Sequence, residues 1–431
     1  MATPEADYYR LRTEWLRFKS HLFDSLTELP TLPATIEEVR RIVESRGAAE
    51  VLYLDLGRSG RHETKLGWAA YDQAIRDFAG LLISLRATGE IGHHDLICLH
   101  TVRSDRFLIF RGAGPDEAAR SNPKGPEPSE VLLAVLRSRL AGAPPASALR
   151  SIRLGAGHAW IREDPMVRAE RGIQQAVADA ILGSLEAREG AEVARRDELA
   201  QMITHGGVRT VFHPIVRLRD GFVVGHEALT RPLSSRAFES VEDLFAFAES
   251  TDLIIDFERL CRSTAIQSAR SLPPGGLLFL NASAQAVEDP EWATGGVDKL
   301  LHASGLRPED VVVEITERVA IVYHDAFRLA LRTFKDRGFR VAVDDMGAGY
   351  SSLQALASVE PDFLKFDVSL VRDIDRSGIK RSLLESLRML ADKIRAQVIA
   401  EGVEREGERA TLLALGIELG QGFHFHREES A

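Results

Sequence analysis

The sequence predicts an α/β protein whose C-terminal half is a (β/α)8 barrel with an antiparallel first strand, preceded by a smaller α/β domain. Three observations support this. Eight strand-like runs follow Val211, helical segments separate most of them, and the first two are joined only by Arg219-Asp220-Gly221. Such a short turn is hairpin spacing, which forces the first strand to run antiparallel to the others.

The length of 431 residues favours more than one domain. The predicted boundaries are an N-terminal helix at 1–23, an α/β domain at 24–173, a connecting helix at 174–203 and the barrel at 204–431. The net charge of -10 disfavours binding to DNA. No apolar run is long enough for a membrane span and no signal-peptide core is found, so a cytoplasmic protein is expected.

Residues 1–23 carry an apolar stripe at three- and four-residue spacing, formed by Tyr8, Leu11, Trp15, Phe18 and Leu22. This pattern predicts a helix that packs on its own domain or forms a dimer contact. The two cysteines, Cys98 and Cys261, lie in apolar surroundings. They are interpreted as core thiols of a reducing compartment.

The following segment alternates helices and strands. Predicted helices end at Glu44 and cover Leu66–Leu85 and Ser129–Leu140, and predicted strands cover Val51–Gly57, Leu96–Val102, Arg106–Phe110 and Ile152–Trp160. The charged helix from Gln174 to Ile203 then joins the two halves, as a solvated connector or as a transmitter of signals.

Three features of this segment resemble a diguanylate-cyclase (GGDEF) domain: the DSLTELP start, the strand ending in Asp55 and the RSDRF hairpin. Arg103 and Ser104 stand where that family has two glycines, and Arg106 replaces a metal-binding acid. The resemblance therefore implies a catalytically dead relative, without the inhibitory RxxD motif beside Asp95. Its remaining use would be GTP sensing or dimerisation, with Asp55 as either a surviving ligand or a turn residue.

The eight runs of the C-terminal half are VFHPIVRL, VVGHEAL, LLFLNAS, VVVEIT, RVAVDD, FLKFD, QVIAEGV and IELGQGFHF. Predicted helices between them include Val241–Leu272, Ala320–Lys335, Lys380–Ile394 and Glu404–Leu415. Active sites of such barrels lie at the C-terminal strand ends. Those ends carry Glu227, Asn281, Glu314, Asp344, Asp345, Lys365, Asp367, Glu401, Glu404 and Gln421.

Adjacent buried carboxylates repel each other unless a cation lies between them. Hard oxygen ligands clustered at strand ends favour Mg²⁺ or Mn²⁺. His226, His424 and His426 alternate beside strand ends and are interpreted as structural residues.

Residues Arg209 to Phe425 resemble the EAL family of cyclic di-GMP phosphodiesterases. The motifs are Glu227-Ala228-Leu229 within HEALTR, followed by LNAS, EITE, DDMGAGYSS, LKFD, AEGVE and QG. The resemblance implies hydrolysis of cyclic di-GMP to linear pGpG with two Mg²⁺ or Mn²⁺ ions per site, in a protein expected to be a homodimer.

The resemblance also implies a role for each matching residue. Glu227, Asn281, Glu314 and Asp344 would hold one cation, and Asp345 and Glu401 the second, with Asp344 shared. Lys365 would lie near the attacking water as a general base or as a stabiliser of charge. Arg231 would bind a substrate phosphate, and Leu229, His213 and Asp367 would complete the substrate site. Glu404 and Gln421 would support the metal loop or the substrate, and Glu317 would hold the glycine-rich loop.

This sequence departs from the family pattern at three places. Met346 replaces the usual Phe, His213 replaces a Gln that contacts guanine in many relatives, and the usual proline is missing from the end. Every metal-ligand position is nevertheless kept, which favours an active hydrolase. The alternatives are a non-catalytic receptor or scaffold for cyclic di-GMP, and a hydrolase tuned by GTP at the first domain.

Overall fold

The protein divides into two compact units, Met1–Val193 and Ala194–Ala431. The computed structural model describes residues 15, 18–19, 22–57, 67–114, 128–144, 147–152, 154–164, 166–283, 285, 289–316, 325–346 and 360–426. Most of the predicted helix at 1–23 lies outside these residues. The division falls inside the predicted connecting helix, and the finer boundaries of the four predicted segments stay a prediction.

The first unit is built on one antiparallel sheet. Its strands are β1 (Ala48–Asp55), β2 (Leu96–Leu99), β3 (Arg106–Ala113) and β4 (Gly155–Arg162), in the order β2-β3-β1-β4. Its helices are α1 (Leu32–Arg46), α2 (Trp68–Thr88), α3 (Pro128–Ala141) and the first part of α4 (Ala169–His205). The predicted pairing of the second and third strands is confirmed.

The sheet of the first unit buries both faces, because side chains alternate along β1. Val51 and Tyr53 pack in one core cluster with α1 and α4, whereas Leu52 and Leu54 pack in another with α2 and α3. The first unit therefore has its own core, as the sequence predicted.

Both cysteines are free thiols. Cys98, in the first unit, is buried, and Cys261, in the second unit, is half-buried.

The second unit contains a closed eight-stranded barrel in the order β10-β11-β12-β5-β6-β7-β8-β9. The strands are β5 (Val208–Arg217), β6 (Val223–Pro232), β7 (Leu277–Asn281), β8 (Val311–Thr316), β9 (Arg340–Met346), β10 (Phe363–Phe366), β11 (Gln397–Ala400) and β12 (Leu419–Gly420). Strand β5 is antiparallel to both of its neighbours, and the other pairs are parallel. The eight strands and the antiparallel first strand are confirmed.

Helices surround the barrel, and their bounds differ in places from the prediction. They are α5 (Val241–Glu249), α6 (Ile254–Ser268), α7 (Pro290–Thr294), α8 (Gly296–Ala303), α9 (Asp325–Asp336), α10 (Val368–Val371), α11 (Gly378–Ile394) and α12 (Glu406–Ala414). Within residues 325–336, the predicted helix at Ala320–Lys335 is present. Its first residues lie outside the described part of the chain.

The helical segment predicted at Val241–Leu272 is present as two α-helices, α5 and α6, with a break between them. The Ser250 hydroxyl donates to Phe247 O at 2.7 Å, and the Thr251 hydroxyl donates to Ala248 O at 2.8 Å. Hydroxyls that bind nearby carbonyls compete with the backbone ladder of a helix. The final run is also shorter than predicted, since only Leu419 and Gly420 form a strand before Gly422 turns with φ +149°.

An apolar layer closes the barrel interior below its C-terminal end. It consists of Ile215, Phe279, Val312, Ala342, Phe363, Ile399 and Leu419. Strand β6 offers only Gly225 at this level, where a Cβ would lie 3.0 Å from Phe279 Cε2 and 2.6 Å from Leu277 O. The missing side chain leaves room for the Phe279 ring, which meets Phe363 edge-on with centroids 5.3 Å apart.

Phe279→Ala should destabilise the full-length protein by about 3–5 kcal/mol, because it opens a cavity in this layer. Phe222→Ala, at a side chain that is 61% exposed, should cost less than about 1 kcal/mol. Urea unfolding followed by circular dichroism measures both. Equal losses in the two variants would contradict the assignment of Phe279 to the interior.

Candidate functional site

A polar layer lies directly above the apolar layer of the barrel. Two residues beyond the apolar layer, the parallel strands deliver Asn281, Glu314, Asp344, Lys365, Glu401 and Gln421, and Glu227 follows Gly225 by the same interval. Side chains on a strand point to the same face at every second residue. Strand β5 runs in the opposite direction, so its polar residue, His213, comes two positions before its apolar residue, Ile215. His213 pairs in register with Glu227.

Lys365 lies at the centre of the polar layer and is completely buried. Its Nζ is 2.8 Å from Glu401 Oε1, 3.1 Å from Glu314 Oε1, 3.2 Å from Glu227 Oε2 and 3.4 Å from Asp344 Oδ1. Four carboxylates that the sequence separates by up to 174 positions thus share one ammonium group. A buried charge of this kind requires oppositely charged partners.

The pKa values of this group follow from burial and mutual charge. Burial opposes the charged form of Lys365, but Glu314, Glu227 and Glu401 raise its pKa well above the usual range. Burial raises the pKa of Glu314 strongly and that of Glu401 to about 7, against the lowering effect of Lys365. In Glu227, Lys365 and Gln421 outweigh burial and lower the pKa to about 2.

Amide side chains orient two of these carboxylates. Gln421 Nε2 donates to Glu227 Oε2 and to Glu401 Oε1, each at 2.8 Å. Asn281 Nδ2 donates to Glu227 Oε1 at 3.3 Å. Gln421, which follows β12, therefore connects Glu227 on β6 to Glu401 directly after β11.

Two groups of carboxylates have the spacing of a metal site, and they share one residue. Glu227, Glu314 and Asp344 form the first group, and Asp344, Asp345 and Glu401 form the second, with ligand atoms within 4.8 Å of one another in each. Asp345 adopts φ +59°, and its N–H donates to Asp344 Oδ1 at 2.9 Å. Burial and the Asp344 charge raise the pKa of Asp345.

The donor set fits divalent cations. Both carboxylate oxygens of Glu314 are buried and accept no hydrogen bond of acceptable geometry, although Oε1 lies near Lys365. The two groups together hold five carboxylates and only one lysine lies among them, so two divalent cations would balance the four negative charges that remain. The set also contains only oxygen donors, which suits Mg²⁺ or Mn²⁺.

Other predicted site residues occupy varied positions. Asp367 caps the N-terminus of α10 by accepting Ser369 N at 2.8 Å, and its charge contributes to the raised pKa of Asp345. Leu229 and Arg231 lie half-buried on β6, where Arg231 Nη1 donates to Thr230 O at 3.1 Å. The His213 ring lies 5.9 Å from that of His426.

Glu404 is not brought into the carboxylate group. Its carboxylate is exposed and accepts Arg372 Nη2 at 3.1 Å. Glu317 and the loop that follows Met346 lie outside the described residues, so the predicted contact between them stays a prediction. Met346 itself is buried in the core around the barrel.

Two buried carboxylates outside the polar layer were missed by sequence reasoning. Glu408 on α12 accepts the N–H groups of Asp373, Glu404 and Arg405 at 2.9–3.1 Å and thereby fixes the loop after Glu401. Glu258 on α6 accepts Ser283 N two residues after Asn281. The sequence feature that could have revealed Glu258 is an acid on the apolar face of an amphipathic helix, between Ile254 and Arg262.

A third acidic group, Asp373, Asp375 and Glu408, is held together by a shared arginine. Arg405 Nη2 lies 2.7–3.0 Å from a carboxylate oxygen of each member. This arrangement is a structural ion-pair network rather than a site for a cation.

The hairpin turn of the first unit is held without glycine. Arg103 adopts φ +53°, and its N–H donates to Asp24 Oδ1 at 2.7 Å. Arg106 pairs in register with Asp55 at the ends of β3 and β1, and Tyr71 donates to Asp105 Oδ2 at 2.9 Å. Arg106 stands where the cyclase pattern has an acid. The resemblance to that family stays a prediction.

The family described as "EAL domain" matches residues 196–428. The uncharacterized protein Rv1354c of Mycobacterium tuberculosis is 28% identical over 430 residues, which covers 94% of this chain and 66% of that protein. This chain therefore spans slightly less than two thirds of that relative.

Two further similarities concern the barrel. The probable cyclic di-GMP phosphodiesterase PdeI of Escherichia coli is 30% identical over 256 residues, covering 58% of this chain and 32% of that protein. The crystal structure of the Xanthomonas citri FimX EAL domain in complex with c-diGMP has a TM-score of 0.51 at 19% identity, covering 57% of this chain and 100% of that chain. The second similarity shows the fold alone.

Mn²⁺ at a concentration about 100 times its Kd should stabilise the protein by about 2.7 kcal/mol, because only the folded chain gathers the ligands. Glu314→Gln should lose most of this gain, whereas Glu385→Gln, at an exposed position on α11, should keep it. Thermal unfolding with and without MnCl₂ measures the difference. The same gain in both variants would argue against a cation at Glu314.

Proposed function

The chain belongs to the EAL domain family, and from this premise we propose that its barrel hydrolyses cyclic di-GMP to the linear dinucleotide pGpG. The observation that carries the proposal is the polar layer in which five carboxylates form two overlapping groups, four of them within 3.4 Å of the buried Lys365 Nζ. The printed name of PdeI, a probable cyclic di-GMP phosphodiesterase, supports the substrate class.

Hydrolysis of a cyclic dinucleotide opens one phosphodiester. The oxygen of a water forms a bond to phosphorus, the bond from phosphorus to the 3′ oxygen breaks, and that oxygen takes a proton. Glu227, Asn281, Glu314 and Asp344 would hold one divalent cation, and Asp344, Asp345 and Glu401 a second. Bound Mg²⁺ or Mn²⁺ would supply an activated water and would polarise the phosphate.

The residues of the chain have distinct tasks in this proposal. Glu314, Glu227 and Glu401 raise the pKa of Lys365 in the metal-free protein, and beside bound cations its Nζ would either stabilise negative charge or act as a general base. Gln421 keeps the Glu227 and Glu401 carboxylates in fixed orientations. The apolar layer below excludes water from the floor of the site, which strengthens every charge interaction above it.

Substrate recognition is assigned to residues at the rim. Arg231 at the end of β6 presents a planar fork suited to a phosphate. His213, opposite Glu227, supplies a ring nitrogen for a guanine edge. Leu229, Asp367 and Glu404 are proposed to line the remainder of the substrate site.

A non-catalytic receptor for cyclic di-GMP is the competing function. A receptor needs the substrate contacts but not the complete set of cation ligands. This chain brings the six proposed ligands close together, and Glu314 is a buried carboxylate that lies near Lys365 and accepts no hydrogen bond. That completeness favours the hydrolase.

Glu227→Gln should lower turnover of cyclic di-GMP by about 100-fold, the upper end of the loss expected even for residues that only orient a ligand, because it removes a carboxylate proposed to hold a cation. Glu385→Gln on α11 is the matched control and should retain full activity. Chromatography of the linear product, with Mg²⁺ or Mn²⁺ supplied, measures both. A folded wild-type protein that binds cyclic di-GMP without forming pGpG would instead establish the receptor.

The first unit is proposed to regulate the barrel by binding GTP, and the protein is proposed to act as a homodimer. GTP added to the turnover assay should change the rate, whereas ATP at the same concentration should not. Asp55→Asn should reduce the response if Asp55 is a surviving ligand. A rate that does not respond to GTP would remove this regulatory role and leave the hydrolase unaffected.

A further inference from the structure

Helix α6 carries a buried carboxylate that faces the chain just beyond Asn281. Glu258 accepts Ser283 N at 3.1 Å through Oε1 and at 3.3 Å through Oε2, and the Ser283 hydroxyl also contacts it. Burial raises the pKa of Glu258 to about 7, against the lowering effect of Ser283. Burying a carboxylate costs free energy, so the contact of Glu258 with Ser283 must contribute to the fold or to the site.

The backbone after β7 is held on two sides. Ala282 N donates to Glu314 O at 2.8 Å, which continues the pairing of β7 with β8. The next amide, Ser283 N, turns away from the sheet to Glu258. Asn281 is therefore followed by one amide fixed to the barrel and one fixed to α6, which leaves its Cα little freedom.

The same helix also holds the far end of this connection. Asp289 accepts Arg259 Nη2 at 2.6 Å and Arg262 Nη2 at 2.8 Å, and it caps α7 by accepting Glu291 N at 3.0 Å. Arg262 is buried and stacks 4.7 Å from the Trp292 ring centroid. One face of α6 thus anchors both ends of the segment that leaves the site after Asn281.

We propose that Glu258 is a positioning residue that holds Asn281 in the proposed cation site through the Ser283 backbone. The inference rests on the proposed function, because it assumes that Asn281 is a ligand. Asn281 is the one neutral member of the ligand set, so its affinity for a cation depends on placement more than on charge. Partners that orient a ligand typically change metal affinity or activity about 10–100-fold when removed.

Three variants test this role. Glu258→Ala removes the acceptor, Glu258→Gln keeps an oxygen for Ser283 N, and Phe257→Leu disturbs the neighbouring core position on α6 without touching Ser283. Phe257 is fully buried in the cluster with Leu199 and Met202, so its substitution controls for a general loss of stability.

The first readout is hydrogen exchange of the metal-free protein, measured by mass spectrometry on peptides that cover Leu280–Ser283. Glu258→Ala should lose protection there, and Glu258→Gln and Phe257→Leu should keep it. The second readout is Mn²⁺ affinity from titration with MnCl₂ under electron paramagnetic resonance. Glu258→Ala should bind about 10–100-fold more weakly, and Glu258→Gln should remain close to wild type.

The outcomes separate the inference from the proposed function. If Glu258→Ala and Phe257→Leu lose equal stability and bind Mn²⁺ as wild type does, Glu258 is purely structural and the inference is overturned. Absence of Mn²⁺ binding by wild type would overturn it as well. If wild type binds Mn²⁺ but does not turn over cyclic di-GMP, the proposed hydrolase function is wrong. In that case the effect of Glu258→Ala on Mn²⁺ affinity still decides the role of Glu258.

Discussion

One ammonium group among four carboxylates is the interaction on which the polar layer of the barrel depends. Lys365 Nζ lies within 3.4 Å of a carboxylate oxygen delivered by each of four different strands. Without a compensating charge, these carboxylates would repel each other, because Glu227 and Glu314 are buried and Asp344 and Glu401 are partly buried. The lysine offsets only one of the five negative charges in the polar layer, so the arrangement calls for added cations as well.

The layer exists because the barrel repeats one geometric rule around its circumference. Each parallel strand gives an apolar residue and then, two positions later, a polar one, as in Val312 and Glu314 or Ile399 and Glu401. Strand β5 obeys the same rule in reverse, which places His213 opposite Glu227. A reversed first strand thus adds a polar side chain to the rim without interrupting the apolar floor.

The helices outside the barrel take part in the site through buried acids. Glu408 on α12 fixes the loop after Glu401, and Glu258 on α6 fixes the chain after Asn281. Both act on backbone amides, so neither changes the charge that a cation would meet directly. Position and charge are therefore supplied by separate sets of residues around the six proposed ligands.

The sequence by itself determined the barrel, its reversed strand and the ligand-type residues, because strand alternation, the hairpin at Asp220-Gly221 and acids such as Glu314 and Asp344 are local features. It predicted the helical segment at Val241–Leu272 but not its division into two helices, at a break where the hydroxyls of Ser250 and Thr251 donate to backbone carbonyls of α5. Only the tertiary structure placed Lys365 among four carboxylates, left Glu404 with Arg372 and brought Glu258 to Ser283. Those contacts join residues far apart in the chain, so they depend on barrel closure and helix packing, which no local pattern encodes.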